Sequence, residues 1–252
     1  MPLVINTNVA SLRAQTALNS SQGRLQKSFQ RLSSGFRINT AADDAAGLGV
    51  SESLRSKIRS YAVAERNTNN AIGMANAAEG GLSQVSGIVV RMRELAVQAA
   101  NGDLSTVDRG YLDTEFQLLK EEIHRLAETT EFNGTELLAG TTSAVSFQVG
   151  INPSTYDTIA IDFGGVSLTS LGLNSTGIGG ATRANATSAI DTLDTALHAV
   201  STRRAEFGAA TNRLTIAVSN SQTIRTNLQA AESAIRDVEA SLRFWREGLG
   251  FE

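Results

Sequence analysis

The stretch from residue 190 to residue 242 restricts the fold of this chain more than any other part of the sequence. Along it, mostly apolar positions recur at alternating steps of three and four residues, and no proline interrupts the pattern. On a helix these positions would form one continuous seam. A hydrophobic repeat of about 3.5 residues, sustained for about seven heptads, predicts a long helix whose seam faces partner helices. Its apolar positions include the core residues Ile190, Leu193, Leu197, Val200, Phe207 and Leu214, and they continue through Val218, Leu228 and Ile235 to Leu242.

Two further segments carry seams that match it. Residues 45–100 are predicted to form a second long helix, which ends at Asn101-Gly102. Residues 105–108 read as a capping box that starts a third helix, which folds back as an antiparallel neighbour. The seam residues are Leu82, Val85, Val89 and Met92 in the second helix, and Leu112, Phe116, Leu119, Ile123 and Leu126 in the third.

The segment from Asn8 to Leu32 is predicted to be a weakly stabilised amphipathic helix. Its apolar residues recur at helical spacing, but Gly23 and many Ser and Gln residues interrupt the pattern. A helix of this kind is marginal in water by itself. It is therefore either an ordinary surface helix or a segment that orders only on assembly.

A hinge between two helices is predicted to follow. Ser33-Ser34-Gly35 is a helix stop, Asn39-Thr40 offers side-chain oxygens to cap a new helix, and Asp43-Asp44 would lie favourably in its first turn. The predicted hinge residues are Ser33, Ser34, Gly35, Arg37, Asn39, Asp43 and Asp44.

The hydrophobic period changes to two in the middle of the chain. Apolar residues alternate with polar ones at 145–149 and again at 159–163, and Asn152-Pro153-Ser154 lies between them as a turn. A loop rich in Gly, Ser, Thr and Asn follows. The sequence therefore predicts a mainly α protein, an elongated antiparallel coiled-coil-like helical bundle with a small β-hairpin region in the middle of the chain.

Composition and motifs argue against several functions. The net charge of −3 does not imply a nucleic-acid partner, and the chain contains no cysteine for disulfides or thiolate chemistry. The sequence lacks an apolar run long enough to insert into a membrane and the pattern of a cleavable signal peptide. His124 and His198 lie on separate predicted helices and are interpreted as solvated or structural. We therefore predict no enzymatic activity, no cofactor and no metal site.

Two details of the second helix call for an explanation. Gly73, Gly80 and Gly87 recur one heptad apart, and each costs about 1 kcal/mol relative to Ala in a helix interior. One hypothesis is that they line a face where another backbone comes close, inside the bundle or between subunits; the alternative is tolerated surface glycines. Arg91, Arg93 and Glu94 would point outward, which by itself indicates an ordinary solvated face.

Several motifs, in the same order along the chain, resemble those of bacterial flagellin, the filament subunit. They are Val-Ile-Asn-Thr-Asn at 4–8, Arg-Leu-Ser-Ser-Gly-Phe-Arg-Ile-Asn at 31–39, Asp-Asp-Ala-Ala-Gly at 43–47, Met-Arg-Glu-Leu-Ala-Val-Gln at 92–98 and Glu-Phe-Asn-Gly at 131–134. A hook–filament junction protein shares the hinge motif, but the first motif favours flagellin itself.

The resemblance implies a structural subunit that self-assembles through helical-bundle packing into an extracellular tube for motility. It would be exported without a cleavable signal peptide. Its partners would be other flagellin subunits, the export apparatus, cap and hook-associated proteins, and the flagellin-sensing Toll-like receptor. The domains implied are an inner-tube helix and hinge at 1–44, a helical core at 45–140 plus 182–238, a β-hairpin and loop region at 141–181, and a tail at 239–252.

The resemblance also implies a surface for subunit contacts and receptor binding. Arg91, Leu95 and Glu115 match positions implicated in receptor binding, while Val90 stands where many receptor-activating flagellins have Gln. The whole predicted contact surface comprises Arg91, Arg93, Glu94, Leu95, Gln98 and Glu115.

The carboxyl-terminal residues 239–252 depart from the family pattern, because a flagellin would continue with an apolar helix that pairs with the amino-terminal one. We therefore expect a shortened, atypical tail and weak or absent autonomous polymerisation. The alternative functions are a non-polymerising soluble variant that acts as a receptor ligand or filament terminator, and a helical scaffold unrelated to motility.

Overall fold

A computed structural model describes residues 8–140 and 144–238. Residues 4–7 of the first motif, the seam position Leu242 and the predicted tail at 239–252 lie outside the described residues. The prediction of a mainly α chain is confirmed. The helices are α1 Val9–Ser34, α2 Ala45–Ala99, α3 Thr106–Thr129 and α4 Ala184–Arg236, with a short 3-10 helix at Thr155–Asp157; the strands are β1 Glu131–Phe132, β2 Thr135–Glu136, β3 Val145–Gln148 and β4 Thr158–Ile161.

The chain divides into two compact units. One combines Met1–Ser60 with Ile224–Glu252, and the other comprises Tyr61–Thr223. This division falls inside α2 and α4, whereas the boundaries expected from the sequence fall between predicted elements; those boundaries stay predictions. Among the described helices, none combines the length and apolar character that crossing a bilayer requires.

The larger unit is an antiparallel bundle of α2, α3 and α4. Arg93 on α2 pairs with Asp194 on α4, and Glu79 on α2 pairs with Arg204 on α4. Residue numbers therefore increase in opposite directions along the two helices. The structure fully buries most seam residues, namely Leu82, Val85, Val89, Met92, Phe116, Ile123, Leu193, Val200, Phe207 and Leu214. It half-buries the remaining members, Leu112, Leu119, Leu126, Ile190 and Leu197.

The turn between α2 and α3 is held by caps from both sides. Ser105 accepts a hydrogen bond from the Asp108 N–H, and Asp108 accepts one from the Ser105 N–H, so the expected capping box is present. Arg109 adds a contact that the sequence pattern did not indicate. Its buried guanidinium donates to the carbonyls of Ala99 and Asn101, 3.0 Å away in each case, which satisfies orphan acceptors at the end of α2.

The middle of the chain contains two hairpins. The predicted one is formed by β3 and β4, with Val145 opposite Ile161 and Phe147 opposite Ile159. The second, β1 with β2, was missed. Its turn is Asn133-Gly134, whose positive φ angles of 51° and 75° are the backbone conformation that an Asn-Gly hairpin turn adopts.

The segment between β4 and α4 forms neither a helix nor a strand, in agreement with the predicted loop. Val166, Leu173 and Ile178 within it are nevertheless buried in the core. The Lys120 ammonium on α3 donates to the carbonyls of Asn174 and Thr176, each 3.0 Å away, so the segment is also fixed to the bundle by hydrogen bonds. A few well-placed apolar residues are sufficient to fold a segment with otherwise loop-like composition onto a core.

The glycine hypothesis is wrong within the chain. A Cβ on Gly80 or Gly87 would meet no described atom within 4 Å, and one on Gly73 would make only ordinary contact with Phe132. The close approach lies one residue away, at Gly81. A Cβ there would lie 2.7 Å from the side chain of Leu138, two residues after the end of β2.

Candidate assembly surface and hinge

The charged stretch of α2 forms an ion-pair cluster with α3. Arg91 donates from Nε and Nη2 to the same Glu115 carboxylate oxygen, at 3.0 and 2.8 Å, and from Nη1 to Glu94 at 3.0 Å. The hydrogen bond to Glu115 is the largest cause that raises the pKa of Arg91, and the hydrogen bond to Glu94 adds to it. All three side chains remain about half exposed, so the cluster can be reached from solvent.

The predicted contact residues are not all on this surface. Arg93 lies on the side of α2 that faces α4, where it pairs with Asp194. Leu95 departs from the expectation, because its side chain is 1% exposed and lies in the core. The physical reason is that α2 packs against both α3 and α4, which widens its buried arc beyond a single seam. Gln98 is exposed, one helical turn after Glu94.

Exposed apolar residues lie on the same two helices, within four positions in sequence of an ion-paired side chain, and of these the sequence analysis named only Val90. Val90 and Val97 are one heptad apart on α2 and are 43% and 50% exposed. Tyr111 and Leu118 are one heptad apart on α3 and are 72% and 60% exposed. Their repeat of seven is a signal that could have found them. We call this surface the α2–α3 face; it comprises Val90, Arg91, Glu94, Val97, Gln98, Tyr111, Glu115 and Leu118.

In the smaller unit, the hinge begins where α1 stops. Gly35 has a φ of 72° and donates its N–H to the Arg31 carbonyl, so it is the left-handed cap expected of this glycine. Ser34 Oγ then accepts hydrogen bonds from the Phe36 N–H and the Asn39 side-chain amide. Ser33, next to it, is exposed.

The start of α2 is capped differently from the prediction. Asp44, not Asn39 or Thr40, accepts the N–H of Gly47, at 2.8 Å. Asp43 instead organises the hinge. Its carboxylate pairs with the Lys27 ammonium at 2.7 Å and accepts hydrogen bonds from Thr40 and from the Asn39 N–H. The hydrogen bond from Lys27 is the largest of the causes that lower the pKa of Asp43 strongly. Asp44 is the cap because it immediately precedes α2, and only a side chain at that position can reach the free N–H groups of the first helical turn.

Helix α1 makes little use of its apolar residues. Within the described part of the chain, it has no buried side chain. The sequence spacing did predict these positions, but no part of the chain that the structure describes covers them. Its exposed apolar residues, each more than half accessible, are Val9, Leu12, Leu18, Leu25, Phe29 and Leu32.

The described residues offer no grouping of side chains suited to hold a metal ion. His124 is exposed and lies 4.0 Å from Glu128 on its own helix, and His198 is exposed on α4.

Comparisons with known proteins bear on the same regions. A family model of the bacterial flagellin N-terminal helical region matches residues 5–143, and one of the bacterial flagellin C-terminal helical region matches residues 190–244. The chain is 42% identical to a flagellin of Halalkalibacterium halodurans, over 94% of this chain and 86% of that protein. It is 38% identical to the flagellar filament 33 kDa core protein of Treponema phagedenis, over 94% of this chain and 87% of that protein.

A solved structure agrees with the sequence comparisons. The crystal structure of Bacillus cereus flagellin superposes with a TM-score of 0.55 at 34% sequence identity, covering 62% of this chain and 88% of that chain.

Proposed function

This chain belongs to the bacterial flagellin family, and from that premise we propose that it is a structural subunit of the flagellar filament, which polymerises with other flagellin subunits. The observation that carries the proposal is α1, a 26-residue helix whose apolar residues are exposed along its length. A helix that buries nothing in its own described chain gains stability by packing in an assembly.

Helical assembly follows from ordinary interface physics. A contact between unlike surfaces of identical subunits, when its rotation does not close, extends into a fibre. The α2–α3 face is a second candidate for such a contact, because it combines an ion-pair cluster with exposed apolar side chains. The family is structural rather than enzymatic, in agreement with a role carried by surfaces.

The finer partners are part of the proposal. As a filament subunit the protein would lie in the extracellular flagellum and would meet the export apparatus, the cap and hook-associated proteins. Arg91 and Glu115 also support the alternative role as a ligand of the flagellin-sensing Toll-like receptor, since both are accessible. Receptor activation by the soluble chain, lost in Arg91→Ala, would favour that second role.

Co-assembly tests the filament role directly. Labelled chain is added to growing filaments of a complete flagellin, and the labelled protein in the pelleted polymer is measured. We expect incorporation of the wild-type chain and its loss in Leu25→Asp and Phe29→Asp, which place charge on the apolar side of α1. Gln26→Asp adds the same charge to a neighbouring polar position and is the matched control. Absence of wild-type incorporation would refute the filament role.

A further inference from the structure

The dipeptide Asn-Gly occurs twice in the sequence, at Asn101-Gly102 and at Asn133-Gly134. In this dipeptide the glycine nitrogen can attack the asparagine side-chain amide, because glycine has no Cβ to obstruct the approach. All four residues are exposed, so water reaches both sites. What distinguishes the two sites is how the backbone of each is held.

The peptide group that follows Asn101 is fixed in place. The Asn101 carbonyl accepts a hydrogen bond from Arg109 Nη2 at 3.0 Å, and Arg109 is only 5% exposed. The same guanidinium donates from Nε to the Ala99 carbonyl, which holds it at the end of α2. A hydrogen bond from a charged donor is stronger than one between neutral groups. Rotation of the peptide group between Asn101 and Gly102 therefore has to break a strong bond.

The peptide group between Asn133 and Gly134 is not held in this way. It is the central peptide of the β1–β2 turn, and Phe132 pairs with Thr135 on either side of it. Among the described residues, none donates to the Asn133 carbonyl and none accepts the Gly134 N–H. The φ angles of 51° and 75° are those of a type I′ turn. Rotating the central peptide by a half-turn converts type I′ into type II′ and leaves the flanking pair of residues in place.

The type II′ turn is the reactive geometry. In it the first central residue, here Asn133, has a ψ of about −120°, the mirror image of the type II value. At that ψ the Gly134 nitrogen lies nearly eclipsed with the Cβ of Asn133, as a five-membered ring closed through Cγ requires. The attacking and attacked atoms of this site can therefore meet without opening the hairpin.

We propose that Asn133 is a site of spontaneous deamidation and that the contact with Arg109 protects Asn101 from the same reaction. The deprotonated Gly134 nitrogen forms a bond to Asn133 Cγ, the Cγ–Nδ2 bond breaks, and Nδ2 takes up a proton and leaves as ammonia. Water then adds to one carbonyl of the resulting succinimide and breaks its bond to the Gly134 nitrogen. Opening at Cγ gives aspartate, and opening at the main-chain carbonyl gives isoaspartate; no atom is oxidised or reduced. This chemistry does not depend on the proposed filament function.

Isoaspartate at this site disturbs the segment that follows it. It adds a methylene to the main chain of a hairpin whose strands have two residues each, and a carboxylate close to Glu131 and Glu136, which already face each other across the hairpin. The Leu137 N–H donates to the Thr130 carbonyl at 2.9 Å, directly beyond this pair. Since Leu137 is buried, the modification loosens one edge of the core.

Ageing of the full chain at mildly alkaline pH tests the assignment, with the converted fraction of each asparagine measured by peptide mass mapping. In the folded chain we expect Asn133 to convert at least about tenfold faster than Asn101, the factor for one hydrogen bond from a charged donor. In concentrated denaturant the two rates should be nearly equal, because neither backbone is held. Equal rates in the folded chain, faster conversion of Asn101, or a ratio that denaturant leaves unchanged would overturn the proposal.

Arg109→Gln tests the protection of Asn101. The variant removes the guanidinium that holds the Asn101 carbonyl, so conversion of Asn101 should become roughly tenfold faster while that of Asn133 stays the same. Unchanged conversion of Asn101 would overturn the protective role. If Arg109→Gln loses helical circular dichroism, the comparison of the folded and denatured wild-type chain decides the question by itself.

Asn133→Gly is the matched control for the structural consequence. It keeps a Gly-Gly sequence that suits the same turn but has no side-chain amide to convert. In the aged wild-type chain, once isoaspartyl methyltransferase labels it, the Leu137 amide should exchange roughly three- to tenfold faster than before ageing, the factor for about one hydrogen bond. Its exchange in Asn133→Gly should not change on ageing. Acceleration in both chains, or in neither, would contradict the proposed effect on the core.

Discussion

Arg93 and Asp194, separated by 101 positions in the sequence, form a two-point ion pair between α2 and α4. The guanidinium donates from Nε and Nη2 to the two carboxylate oxygens, at 2.5 and 3.2 Å. Such fork-to-fork geometry adds orientational specificity to a helix contact. The pair therefore agrees with the register in which the buried seams of these two distant arms meet.

This pair predicts a specific dependence of stability on pH. The hydrogen bond from Arg93 lowers the pKa of Asp194, so its contribution is complete above the ordinary carboxyl pKa of about 4 and is lost as pH falls below that value. Asp194→Asn should lower the free energy of unfolding slightly at pH 7, because both partners are partly exposed. The difference from wild type should shrink as the pH is lowered through about 4 towards 3.

Denaturant unfolding at a series of pH values measures this difference. Asp191→Asn removes an exposed carboxylate one turn earlier on α4 and serves as the control. A difference between wild type and Asp194→Asn that stays constant down to pH 3 would contradict the assignment.

A substitution in the core of the larger unit should lower the free energy of unfolding much more than the loss of this ion pair. Phe207 on α4 is 2% exposed and packs against Phe163, with ring centroids 5.5 Å apart. Phe207→Ala should lower the free energy of unfolding by about 3–5 kcal/mol, because it removes buried surface and leaves a cavity. Ile216→Ala on the same helix is the control. Since Ile216 is 69% exposed, its replacement should change stability by no more than about 0.5 kcal/mol.

The helices could be predicted from the sequence because their stabilising pattern is long. The seam from Ile190 to Leu214 repeats every three or four residues, and each repeat adds evidence for one face of one helix. Leu95 was misplaced because a helix with two neighbours buries a wider arc than one seam. The receptor resemblance had assigned it to a surface.

Short or irregular elements carry much weaker signals. The strands of the β1–β2 hairpin have two residues each, too few to show alternation, so only Asn133-Gly134 indicated a turn. Ile178 is buried although the residues around it are mostly Gly, Ser, Thr and Asn. Its burial depends on contacts with distant α3, where Asp113 accepts the Ile178 N–H at 2.8 Å. No local pattern encodes such a contact.

Two adjacent glycines on α2 should respond in opposite directions to alanine. A Cβ on Gly81 would lie 2.7 Å from Leu138 Cδ1 and 2.9 Å from Thr130 Oγ1, so Gly81→Ala should destabilise by about 1–3 kcal/mol. Gly80 has open space at that position. Gly80→Ala should therefore stabilise by up to about 1 kcal/mol through improved helix propensity. Thermal and denaturant unfolding of the two variants measures the contrast, and equal effects would refute it.

The start of α2 allows the corrected helix cap to be tested at a single amide. Asp44 accepts the Gly47 N–H, while the Thr40 hydroxyl donates to Asp43 and makes no cap. Asp44→Ala should accelerate exchange of the Gly47 amide and lower stability by about 1 kcal/mol, the usual cost of losing an N-cap. Asp44→Asn keeps an acceptor oxygen and should restore most of the protection. Thr40→Ala changes the residue that the sequence pattern alone predicted as the cap, and it should leave hydrogen exchange of the Gly47 amide unchanged. If Thr40→Ala instead speeds that exchange as much as Asp44→Ala does, the cap belongs to the hinge rather than to Asp44.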